Sequence, residues 1–162
     1  NENICRTGGK TTGTGRMMIE THTPVLTAVA RITVRFNECD PLGIVWHGNY
    51  ANYFHEGREE FGRKYNLDYL ELYHLGVATP IVHMSTDFKR SMQYNDVALV
   101  ETTLRNTHAA KLIFDYVIRA EKDDELICKG TTTQVFVNSR NMELSLVVPE
   151  VVAKWKKQNG LL

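Results

Sequence analysis

From Asn49 to Tyr65 the apolar or small residues Tyr50, Tyr53, Phe54, Gly57, Phe61 and Tyr65 recur at steps of three and four, so a helix gathers them onto one side. Beyond Gly76 the period changes and the chain stays strand-like: Val77 to Met92, Val97 to Asn106, Lys111 to Glu121 and Leu126 to Asn138. Between these runs lie the polar turns Tyr94-Asn95-Asp96, Thr107 to Ala110 and Lys122-Asp123-Asp124. Turns this short join antiparallel neighbours. A long one-sided helix followed by a long antiparallel sheet is an α+β arrangement with few packings. The helix covers the inner face of the sheet, while the mixed outer face and the edges need other cover. Dimerisation through a sheet edge supplies it.

The remaining segments fit around that unit. Val25 to Phe36 reads as a strand, Asp68 to His74 as a short helix closed by Gly76, Met142 to Val148 as a short strand, and Pro149 as the start of a terminal helix. Glu59 with Arg63 and Glu60 with Lys64 are spaced as i,i+4 pairs on the outer face of the long helix. Gly57 inside the apolar stripe costs about 1 kcal/mol of helix propensity relative to Ala, which makes sense where a helix lies close against a sheet. The Gly-, Thr- and Asn-rich beginning shows no periodicity. Residues 1–24 are expected to be a disordered leader or cloning remnant, and residues 25–162 a single domain. Gly8-Gly9-Lys10-Thr11 is not a phosphate loop, because Ile4 stands where the pattern needs Gly.

The 162 residues carry a formal net charge of +0, with the basic residues dispersed, which gives no support for nucleic acid or a polybasic membrane anchor as partner. No apolar run approaches the roughly 20 residues of a membrane span. A cytoplasmic protein acting on a small molecule is the expectation. Cys5, Cys39 and Cys128 lack the spacing of a zinc site or a disulfide framework, and His22, His74, His83 and His108 show no ligand spacing. No metal or cofactor is called for.

Chemistry is concentrated between Arg35 and Arg58, RFNECDPLGIVWHGNYANYFHEGR. An acidic turn with a Pro and a Gly-containing loop set Asp40 just ahead of the long helix. A helix start presents unpaired N–H groups and partial positive charge, which can hold a carbonyl oxygen as it gains negative charge. Asp40 beside it can serve as general base or as nucleophile.

Glu38 to Phe54, ECDPLGIVWHGNYANYF, together with TPIV at Thr79 to Val82 and YNDV at Tyr94 to Val97, resembles the hot-dog-fold acyl-CoA thioesterase superfamily, in the branch of 4-hydroxybenzoyl-CoA thioesterase and YbgC-like enzymes. The likeness spans about Arg31 to Val137. It implies a hot-dog fold, in which a curved antiparallel sheet of about five strands wraps a central helix, and a homodimer or homotetramer with sites at the subunit interface. The implied activity is hydrolysis of an acyl-CoA to a carboxylic acid and free CoA. Asp40 matches the family's catalytic carboxylate, and its route, anhydride or activated water, is open. The oxyanion donor falls at the backbone N–H of His47. Gly43 permits close backbone approach or a positive φ, and Tyr50 shapes the start of the helix. Thr79 matches a position lining the acyl pocket across the interface, and Lys111 one that meets the phosphates of CoA, with Arg90, Arg105 and Arg119 as unranked alternatives. Relatives commonly carry an acid fifteen positions after the catalytic Asp, where this chain has His55, followed by Glu56; this departure bears on acyl specificity. An acyl-acyl carrier protein thioesterase and a non-catalytic acyl-CoA-binding domain are the alternative functions.

Overall fold

The computed structural model describes residues 23–162. The Gly8–Thr11 motif, Cys5, His22 and nearly all of the expected leader lie outside them. The elements are β1 (Thr27–Thr33), α1 (Tyr50–Tyr65), α2 (Tyr69–His74), β2 (Val77–Ala78), β3 (Ile81–Phe88), β4 (Val97–Arg105), β5 (Lys111–Ala120), β6 (Leu126–Val135), β7 (Val137–Asn138) and α3 (Glu150–Gln158). Five strands form one antiparallel sheet in the order β1-β4-β5-β6-β3, and β2 pairs with β7 in a separate ribbon. The consecutive strands β4, β5 and β6 are the meander that short turns require, while β1 and β3, the strands flanking α1, form the two edges.

The apolar stripe of α1 is buried as its period demands. Tyr53, Phe54 and Phe61 are among the least exposed side chains. Phe54 stacks on Tyr116 of β5 at 4.3 Å between centroids, and Phe61 meets Phe114 edge-on at 5.2 Å. Gly57 lets the helix approach the sheet: a Cβ there would lie 2.3 Å from Thr102 Oγ1. On β5 alternate residues Leu112, Phe114, Tyr116, Ile118 and Ala120 face the helix and are buried. The terminal helix α3 closes the far end, with Trp155 Nε1 donating to the Tyr65 carbonyl at 2.7 Å. Buried Lys156 donates to the Thr107 carbonyl at 2.6 Å, and burial pulls its pKa down. Among the described residues no helix is long and apolar enough to cross a membrane.

Four expectations change in detail. The Val77–Met92 run divides into β2 and β3 at Thr79-Pro80, because Pro lacks an N–H for a ladder and constrains the residue before it. The Val25–Phe36 strand stops at Thr33, and Phe36–Glu38 forms a short 3-10 turn closed by Glu38 Oε2 accepting the Arg35 N–H at 2.7 Å. Met142 to Val148 is not a strand. It makes one isolated bridge, Leu144 to Val137, and begins at Met142 with φ 61°. The outer charges of α1 also re-pair: Arg63 holds Glu60 at 2.9 Å, and Lys64 donates to the Thr27 carbonyl of β1 at 2.7 Å.

Candidate active site

Glu38 ties the motif loop to α1. Its carboxylate accepts the Tyr53 hydroxyl at 2.9 Å, and its carbonyl accepts the Trp46 N–H at 2.9 Å and Asn49 Nδ2 at 2.8 Å. Burial, followed by the hydrogen bond to Glu38, pushes the Tyr53 phenol far above its usual pKa. Within this clamp the chain makes a tight turn, Asp40 N–H to Ile44 carbonyl and Gly43 N–H to Asp40 carbonyl, both at 2.9 Å. Gly43 has φ +74°, the left-handed region that favours glycine, so the sequence reading of this residue as a positive-φ position agrees with the turn.

Asp40 is half-buried, and its Oδ1 accepts the Leu42 N–H at 2.8 Å. Its Oδ2 has no hydrogen bond among the described residues. His47–Asn49 form a 3-10 turn that runs directly into α1. The N–H groups of His47 and Gly48 have no acceptor among the described residues, as the start of a helix dictates. Gly48 packs against the Trp46 ring, where a Cβ would fall 2.1 Å from the nearest ring carbon.

Asp40, His47 and Tyr50 line one open depression of about 390 Å³, together with Leu42, Phe88 and Lys89. Tyr50 is buried at its floor, edge-on to Phe88 at 4.9 Å, and burial pushes its phenol up to about 12. Lys89 makes no ion pair among the described residues. Nothing in the local sequence distinguished it from other strand-end lysines.

His55 and Thr79 line a different cavity of about 480 Å³, beside Arg58, Tyr69, Ile81 and Gln134. Gln134 Nε2 donates to the Thr79 carbonyl at 2.9 Å, and the Tyr69 hydroxyl approaches Gln134 Oε1 at 3.4 Å. Burial pushes the Tyr69 phenol up to about 12. His55 is exposed, with Nε2 3.9 Å from Glu59. Arg58 is 6% exposed and donates through Nη1 to the Tyr116 hydroxyl at 2.9 Å, which in turn shares a 2.7 Å bond with Thr132. Arg58 is the residue that sequence reading passed over. The signal was there, since it falls four after Phe54 and three before Phe61 on the apolar stripe.

Lys111 begins β5 opposite Val135 and lines neither cavity. The alternative phosphate contacts are occupied: Arg90 by Asp123 and Glu125, Arg105 by Asp115, and Arg119 by the Asp124 carbonyl. Five of the sequence candidates thus fall into two groups in the single chain, Asp40, His47 and Tyr50 in one and His55 and Thr79 in the other, while Gly43 and Lys111 line neither cavity.

The model of the thioesterase-like superfamily matches residues 34–155. A Bacillus subtilis (strain 168) protein, YneP, named provisionally as an acyl-CoA thioesterase, is 28% identical over 112 residues, covering 69% of this chain and 80% of its own. The 4-hydroxybenzoyl-CoA thioesterase of Pseudomonas sp. (strain CBS-3) is 32% identical over 109 residues, covering 64% and 77%. The crystal structure of a DHNA-CoA thioesterase from Staphylococcus aureus superposes with a TM-score of 0.75 over 81% of this chain and 87% of that one, at 23% identity, a likeness of fold. The matched region contains the whole Asp40 loop, α1 and the sheet from β3 to β6, and the chain belongs to the thioesterase-like superfamily as a hot-dog-fold thioester hydrolase.

Proposed function

We propose that this chain hydrolyses an acyl-CoA thioester to a carboxylic acid and free CoA, with Asp40 as the reacting carboxylate and the amides of His47 and Gly48 as the oxyanion hole. The observation that carries the reading is the opening of Asp40 and His47, whose N–H lacks an acceptor, onto one depression. A thioester carbonyl seated on those amides gains negative charge as its carbon is attacked, and fixed donors at a helix start stabilise that charge without reorganising. Asp40 Oδ2 acts in one of two ways. It attacks the carbonyl carbon, expelling CoA thiolate and leaving an anhydride that water opens, or it takes a proton from the water that attacks. Both routes return Asp40 and release acid and thiol.

The reading includes a homodimer with shared sites. Phe88, at one end of β3, lines the Asp40 depression, and Ile81, at the other end, lines the Thr79 cavity. Seven strand steps separate them by about 23 Å within one chain, too far for one acyl group. Pairing two copies of β3 antiparallel about a twofold axis sets the Phe88 end of one beside the Ile81 end of the other. Asp40 of one copy then faces Thr79 and His55 of its partner.

The test is thiol release from a panel of acetyl, medium-chain, palmitoyl and benzoyl thioesters of CoA. Wild type is expected to turn over at least one of them, and Asp40→Asn to lose roughly 10²- to 10⁴-fold in rate. The melting temperature should hold, because the Asn carbonyl keeps the Leu42 N–H. Undiminished turnover by Asp40→Asn moves the chemistry elsewhere. Matched thioesters of acyl carrier protein, run in parallel, decide the carrier.

A further inference from the structure

The second cavity holds a charge that nothing among the described residues neutralises. Arg58 is 94% shielded by the fold, being 6% exposed, yet no carboxylate lies within ion-pair distance of it among the described residues. Its Nη1 is committed to the Tyr116 hydroxyl, and its Nε–H finds no acceptor among the described residues. Of the other two nitrogens, Nε is itself shut off from solvent, and Nη2 makes no hydrogen bond among the described residues. A carboxylate that reaches Nη2 gains a charge-assisted hydrogen bond there, and a small shift of the side chain brings Nε into a second, the bidentate match that Lys cannot offer. Glu59, on the same cavity, is turned toward His55 at 3.9 Å. The walls are otherwise largely apolar, with Leu70, Tyr73, Ala78 and Ile81. A buried, half-satisfied cation at an apolar cavity costs stability in the empty protein, and an occupant that brings an anion removes the cost.

We propose that Arg58 is a specificity-determining residue that selects acyl groups ending in a carboxylate, with the aliphatic part of the chain against Leu70 and Ile81 and the terminal anion on the guanidinium. This rests on the hydrolase reading, in which the acyl group enters the Thr79 cavity of the partner copy. If Arg58 only ties α1 to β5 through Tyr116, its replacement changes stability and affects all thioesters alike.

The experiment compares adipyl-CoA with hexanoyl-CoA, which differ in the terminal group. In wild type kcat/KM should favour adipyl-CoA by about 10- to 100-fold. In Arg58→Met that ratio should fall at least tenfold, whatever the absolute rates, and Arg58→Lys should restore part of it. Calorimetric binding of the two thioesters to Asp40→Asn reads the same preference without turnover and without any change at Arg58. A wild-type preference for hexanoyl-CoA, or equal affinity in the binding experiment, overturns the role of Arg58 and leaves the hydrolase reading standing. Preferential binding of adipyl-CoA with no hydrolysis of any thioester does the reverse.

Discussion

In the proposed mechanism Asp40 does two jobs with its two oxygens. Oδ1 closes the turn through Leu42, the ordinary task of an Asp before Pro, and Oδ2 is left over for chemistry. That division is why Asp40→Asn should separate rate from folding. The same scale exposes a weak point two residues from the first helical turn. Ala at Gly48 would put a Cβ 2.1 Å from the Trp46 ring, and the ring, 48% exposed, has room to swing out. Gly48→Ala should therefore fold, while the movement disturbs the amides of His47 and Gly48. A misplacement of about 1 Å at a reacting centre costs on the order of 100-fold in rate. A kcat that stays within a few-fold of wild type, with the melting temperature also unchanged, would show that those amides do not hold the oxyanion. Cys128 gives a check of a different kind. Burial pushes its thiol up to about 12, so the reactive thiolate is scarce at pH 8. Peptide mass spectrometry should find Cys128 unlabelled by maleimide in the folded protein and labelled in denaturant; rapid labelling in the fold contradicts its burial.

At the scale of elements, α1 concentrates both what sequence could foresee and what it could not. A period of three and four placed Tyr53, Phe54 and Phe61 against the sheet, because apolar spacing follows directly from the helical repeat. Gly57 within that stripe also read correctly as a close approach. Ala there would gain about 1 kcal/mol of helix propensity, but its Cβ meets Thr102 Oγ1 at 2.3 Å and Val100 Cγ1 at 3.0 Å, both on fully buried residues. Overpacking of a closed core costs about 1–3 kcal/mol, so Gly57→Ala should destabilise by roughly 1–2 kcal/mol in urea unfolding. A stabilised variant would mean that the helix stands off the sheet. Arg58 carries the spacing of the stripe but was passed over for a physical reason: a long cation there reads as the edge of the exposed face, and the Tyr116 hydroxyl that satisfies part of it inside comes fifty-eight residues later. The partners of Lys64 and Arg90 were hidden likewise, because their acceptors lie on β1 and on the turn after β5. The Pro80 break was written in the sequence, though the strand-like run of Val77 to Met92 concealed it. The Asp40 motif was legible as a local feature. The division of its companions between two cavities was not, since that depends on how β3 crosses to the far edge of the sheet.

For the whole molecule, that crossing is the consequential event. β3 is paired on one side with β6, and its other side has no partner strand among the described residues. Ile81, Val82, Met84 and Phe88 along it are 44–60% exposed, an apolar edge that a lone chain would expose to aggregation. In the proposed homodimer, Lys in place of Met84, near the midpoint of β3, would bring like charges together across the twofold axis. If that dimer forms, wild type should run as a dimer by light scattering, and Met84→Lys as a monomer that has lost thioesterase activity. Complementation tests the proposed shared site more directly. Asp40→Asn lacks the carboxylate, and Thr79→Trp fills the cavity proposed to take the acyl group, so each alone should be inactive. In a mixed dimer one site inherits both defects, and the other pairs the intact Asp40 of the Thr79→Trp copy with the intact cavity of the Asp40→Asn copy. Random reassortment makes half the dimers mixed, so about one quarter of wild-type activity should return on unfolding and refolding the two together. Sites confined to single chains predict none.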